Sequence, residues 1–90
     1  MTQTLKIIVK GKVQGVTYRE TTRRKAVTLG LSGTVENLDN GDVLIIATGD
    51  PGTLEGFVRW CHKGPQLASV SEVSSTEIPL HYFTGFSIKR

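Results

Sequence analysis

Leu31-Ser32-Gly33-Thr34-Val35-Glu36-Asn37, then Leu38-Asp39-Asn40-Gly41-Asp42, then Val43-Leu44-Ile45-Ile46-Ala47-Thr48 reads as a strand, a turn and a returning strand. Successive side chains of an extended chain point to opposite faces. Leu31, Gly33, Val35 and Asn37 therefore share one face, and Ser32, Thr34 and Glu36 share the other. Asn37 ends the packed row. Asp39-Asn40-Gly41 supplies the turn, because Asn and Gly accept the positive φ angles of a tight hairpin. The strands are expected over 31–37 and 42–48.

Working outward, a helix flanks the hairpin on each side. Tyr18, Thr22, Ala26 and Leu29 recur at helical spacing, Glu20, Arg23, Arg24 and Lys25 point elsewhere, and Gly30 suits the left-handed position after a helix. Asp50-Pro51 starts the second helix, with Asp as cap and Pro preset for the first helical position. Leu54, Phe57, Val58 and Cys61 then form its apolar stripe, and Gly64-Pro65 ends it. Outside the helices lie further strands. Leu5, Ile7 and Val9 alternate with Lys6 and Ile8. The β-branched stretch 69–78 breaks alternation at Val70 and Val73, so a bulged strand is expected there. A short final strand is expected over 83–89. The order β-α-β-β-α-β with an extra C-terminal strand predicts an α+β, ferredoxin-like split βαβ sandwich, with two helices on one face of a mainly antiparallel sheet. Residues 1–90 read as one domain.

Composition narrows the classes of function. Apolar residues at 38% and charged residues at 21% are those of an ordinary globular chain. The longest apolar run, from Val43 to Ala47, is far short of the roughly 18 residues of a membrane span. Met1-Thr2-Gln3-Thr4-Leu5-Lys6 lacks the features of a secretory signal, so a cytoplasmic protein is expected. Cys61 is the only cysteine and His62 and His81 stand alone, which argues against a disulfide, a metal site or a redox role; no cofactor is expected. The net charge of +3 favours anionic partners. Nucleic acid is disfavoured, because the open face offers Lys6, Ile8, Lys10, Leu44, Ile46 and Thr48 and no stacking aromatics. A monomer without a membrane partner is expected.

Phosphorylated metabolites fit better. A chain that leaves a strand through the loop 11–16 and enters a helix near Tyr18 can point successive backbone amides into one concavity at the positive helix end. The candidate phosphate-binding residues are Gln14, Gly15, Val16, Thr17, Tyr18 and Arg19. Gly15 lets the backbone turn and approach a ligand closely. Arg19 offers paired donors that match two phosphate oxygens. No Gly-Lys-Ser/Thr ending follows, so this is not a Walker loop. Asn37 lies on the face assigned to the helices, where its amide can both donate to and accept from a water held in line with phosphorus. Arg19 and Asn37 are the candidate catalytic residues. Taken singly, Arg19 also suits a surface ion pair and Asn37 a turn-initiating side chain.

At these residues the sequence resembles the acylphosphatase family. Residues 11–19 look like the family's first signature, and Asn37-Leu38-Asp39-Asn40-Gly41-Asp42-Val43, continuing to Gly49, looks like its second. The resemblance implies hydrolysis of small-molecule acyl phosphates to a carboxylate and inorganic phosphate, with Arg19 and the loop amides binding the phosphoryl group and Asn37 orienting water. It implies neither metal nor covalent phosphoenzyme. A carboxylate leaves readily unaided, so the absence from both motifs of a histidine or a suited carboxylate pair fits that leaving group. Thr34 stands where the family usually has an aromatic residue, Glu36 where it has a basic one, and Tyr18 where phenylalanine is common.

Overall fold

The computed structural model describes residues 1–89. The elements run β1 (Gln3–Lys12), α1 (Tyr18–Thr28), β2 (Ser32–Asn37), β3 (Val43–Gly49), α2 (Pro51–Lys63), β4 (Ser69–Ile78) and β5 (Phe86–Lys89). The strands form one sheet in the order β4-β1-β3-β2-β5. All neighbours are antiparallel except β2 and β5, which are parallel. This is the expected ferredoxin-like arrangement, with β5 as the added edge.

One face of the sheet carries the core. Ile7 and Val9 from β1, Val35 from β2, and Val43, Ile45 and Ala47 from β3 are buried with Ala26 of α1 and Leu54, Phe57 and Cys61 of α2. Phe57 meets Trp60 in a stacked pair at 6.3 Å and Phe86 edge-on at 6.3 Å, so β5 is fixed to α2 through aromatic contact. Asp50 caps α2 as expected, its carboxylate accepting from the amides of Gly52 (3.0 Å) and Thr53 (3.4 Å).

Several boundaries differ from expectation, each for a local reason. β1 continues through Gly11 and Lys12, because these residues pair with Val70 and Ser69 of β4. The extra residue of the expected bulge is Ser71, which falls between the partners of Lys10 and Gly11. β5 begins at Phe86 and not at 83, since Gly85 turns the chain at φ 73° just before it. Thr48, placed on the open face by alternation, is buried. Its hydroxyl meets that of Thr4 at 2.7 Å and donates to the His81 carbonyl, so the segment after β4 folds over this end of the sheet. Among the described residues no helix is long and apolar enough to cross a membrane.

Two buried acids make stability sensitive to alkali. Burial pushes the Cys61 thiol up to about 12 and raises the Tyr18 phenol as well. In the unfolded chain these groups ionise near 9.0 and 10.0, so above that range the unfolded state holds fewer protons than the native one. The stabilisation is complete below about pH 9 and is lost as pH rises beyond it. Urea melts between about pH 8 and 11 should show a falling midpoint, and a Cys61→Ala, Tyr18→Phe protein should show a flatter decline.

Candidate active site

The loop between β1 and α1 turns by two left-handed residues. Gly15 has φ 74°, and Thr17, at the N-cap of α1, has φ 62° and ψ 19°. For a β-branched residue this conformation costs about 1–3 kcal/mol, and such strain tends to be kept where a site requires it. The Thr17 hydroxyl donates back to the Val16 carbonyl at 2.6 Å and does not cap the helix. Among the described residues, no backbone N–H from Gly15 to Glu20 donates to a protein acceptor. The positive end of α1 is thus left with its donors free.

Those donors border a cavity of about 170 Å³ lined by Val13, Gly15, Thr17, Tyr18, Arg19, Glu20, Asn37 and Ile88. Arg19 and Asn37, which lie on different elements, share its wall. Asn37 Oδ1 is buried and accepts no hydrogen bond from any described protein group. A buried acceptor without a partner is unfavourable, so its retention in a residue of the cavity wall is consistent with a role there. Thr22 Oγ1 is likewise buried and unpartnered, but it lies outside the cavity lining.

Glu20 also lines the cavity, although its helical position suggested that it faces elsewhere. Its Oε1 accepts from Arg23 at 2.7 Å and Arg24 at 3.2 Å. The Arg23 hydrogen bond, joined by Arg24, holds the Glu20 carboxyl below its ordinary value. Arg19, by contrast, makes no ion pair among the described residues, while the neighbouring carboxylate pairs with Arg23 and Arg24. Arg23 and Arg24 therefore offset the negative charge of Glu20 on the cavity wall.

Of the other sequence-predicted residues, Gly15, Thr17 and Tyr18 line the cavity, whereas Gln14 and Val16 do not. Val16 packs against the core. The Gln14 side chain crosses to the β2–β3 turn, where Nε2 donates to the carbonyls of Leu38 and Asp42, each at 2.8 Å. Sequence reading missed Val13, Glu20 and Ile88 as lining residues. Ile88 has a visible signal, since it alternates in β5, but only the parallel pairing of β5 with β2, which sets it opposite Val35, brings it to the cavity that Asn37 also lines.

The family model for acylphosphatase matches residues 5–88. The chain belongs to the acylphosphatase family. Similar members include an acylphosphatase from Marinobacter nauticus, 49% identical over 81 residues that make up 89% of this chain and 88% of that one. A solved acylphosphatase from Coxiella burnetii has a TM-score of 0.95 and 38% identity, covering 98% of this chain and 93% of that one. The crystal structure of acylphosphatase from Bacillus subtilis has a TM-score of 0.94 and 36% identity, with 100% of both chains covered.

The unusual residues of this family member have distinct places. Thr34 and Glu36 alternate with buried Gly33 and Val35 and so lie on the sheet face away from the cavity. Glu36 lies 3.7 Å from Lys89 there. Tyr18 is buried, with its hydroxyl donating to the Cys61 carbonyl at 2.8 Å and its ring 6.0 Å from that of Trp60. Gly64 makes room for that ring, since a Cβ there would come within 2.7 Å of it. Tyr18 thus joins the start of α1 to the last turn of α2. Tyr18→Phe strands a buried carbonyl and is expected to destabilise by about 1–2 kcal/mol. For a domain of this size that corresponds to a melting-temperature fall of roughly 5–10 °C in a thermal scan.

Proposed function

We propose that this acylphosphatase-family chain hydrolyses the carboxyl–phosphate bond of acyl phosphates without a metal, using Arg19 and the amides of Gln14–Arg19 to bind the phosphoryl group and Asn37 to orient the attacking water. The observation that carries the reading is the shared wall. Arg19, whose guanidinium has no ion-pair partner among the described residues, the first residues of α1 with their free amides, and Asn37, whose buried amide oxygen has no described protein partner, line one cavity.

The chemistry needs little more. Phosphoryl transfer has a loose transition state, so positioning and charge stabilisation around the equatorial oxygens carry most of the catalysis. Arg19 and the amides supply donors to those oxygens. Asn37 Oδ1 accepts from the water and aims its lone pair at phosphorus. The water oxygen forms the new P–O bond as the acyl C–O–P bond breaks on the phosphorus side, and the carboxylate departs with the electron pair. The water's proton passes to a phosphoryl oxygen, so Asn37 acts as a guide and not as a base. The carboxylate needs no protonation to leave. Among the described residues, Glu20 is the only carboxylate on the cavity wall, and the two arginines already hold it.

In this reading the protein works as a single-domain monomer in the cytoplasm. Its partners are the acyl phosphate and inorganic phosphate, with no nucleic acid or membrane. A purified sample is expected to hydrolyse a simple aryl or alkyl acyl phosphate at an undiminished rate in excess chelator. Activity lost in chelator and restored by a divalent ion overturns the metal-free scheme.

A further inference from the structure

We infer that Gln14 is a positioning residue that holds the Asn37-bearing hairpin in register with the phosphate cradle. The inference rests on the function proposed above and adds a specific part to it. Gln14 belongs to the cradle loop, yet both hydrogens of its side-chain amide are given to the hairpin, at the carbonyls of Leu38 and Asp42. Leu38 directly follows Asn37, and its own N–H donates to the Asp42 carbonyl at 2.8 Å. One amide thus grips both ends of the turn. Among the described residues, no other hydrogen bond joins the loop 13–17 to the turn 38–42.

The residue type follows from the task. Two carbonyls facing one point require two donors on one atom at the end of a side chain long enough to cross from loop to turn. A glutamine amide supplies this, and an ionised glutamate, which only accepts, does not. The far side of the turn is braced independently: Asp42 Oδ2 accepts from Lys10 at 2.8 Å and from Asn40 at 3.2 Å. With Asp42 anchored to the sheet, the Gln14 bond to Leu38 sets the distance between the cradle and Asn37. A displacement of about 1 Å between a guided nucleophile and its target is enough to cost about 100-fold in rate.

A double-mutant cycle on the full chain tests this. kcat and the inhibition constant of inorganic phosphate are measured for Gln14→Met in the native and Asn37→Ala backgrounds, at a temperature where all proteins are folded. In the native background kcat is expected to fall about 10-fold or more while the phosphate constant changes by less than about 2-fold. In the Asn37→Ala background the same substitution is expected to lower kcat by less than about 2-fold, because the group it positions is gone. An equal fold-loss in both backgrounds, or a phosphate constant that weakens in step with kcat, overturns the inference. Gln14→Glu, of the same length, enters the same cycle should the methionine protein not fold. Failure of the parent reading is separate, since it shows as full activity of the Asn37→Ala single variant.

Discussion

Asn37→Ala is expected to lower kcat by about 100-fold or more while leaving competitive inhibition by inorganic phosphate nearly unchanged. The split follows from geometry. Asn37 ends β2 on the wall of the cavity that the loop residues also line, and its buried Oδ1 has no described protein partner, so its removal disturbs little that holds the fold together. In the proposed site the amides and Arg19 remain to bind phosphate. What is lost in the proposed mechanism is the group that turns the water toward phosphorus, which contributes to the transition state and not to ground-state phosphate binding. Steady-state kinetics with a simple acyl phosphate, run beside a phosphate inhibition series, measures both quantities. Equal activity of variant and native protein removes Asn37 from the mechanism.

Arg19→Ala is expected to damage both quantities together. Phosphate inhibition should weaken markedly, and kcat/KM should fall by about 1000-fold or more, within the range found for arginines that stabilise transferring phosphoryl groups. Arg19 is the cavity's cation without an ion-pair partner among the described residues, and Glu20 beside it is kept occupied by Arg23 and Arg24. Arg19→Lys should recover only a small part of the loss, because a lysine brings the charge without the planar pair of donors. Native-like phosphate inhibition in Arg19→Ala would place the anion elsewhere.

The two substitutions differ in how visible their targets were. Arg19 and Gly15 stand in a glycine-containing strand-to-helix connection, a local pattern whose physics is carried by neighbouring residues. Asn37 was legible through simple alternation, which placed it on the same face as buried Leu31, Gly33 and Val35. Thr17 gave no such signal, because β-branched residues avoid positive φ and nothing local marks this one as an exception. Helical spacing puts Glu20 off the packed stripe of α1, and it reports only the angle around the axis. At the first turn of α1, Tyr18, Arg19 and Glu20 line the same cavity although they stand at different angles around that axis.

The elements themselves were largely set by local chemistry: alternation made the strands, Asp50-Pro51 and Gly64 bounded α2, and Asp39-Asn40-Gly41 made the turn. Boundaries moved where a partner strand decided them, as with Gly11 and Lys12 drawn into β1 by β4, and Thr48 was buried by a segment more than thirty residues away.

The amino-acid sequence by itself determined which segments become strands and helices, which face of β2 is packed, and which loop can offer its amides to an anion, since each depends on residues within a few positions of one another. Only the tertiary structure decided that Ile88 of β5 joins the cavity, that Tyr18 is tied to Cys61, and that the Gln14 side chain serves the hairpin. These last relations depend on distances between residues far apart in the chain, and such distances come into being only when the sheet and its helices pack.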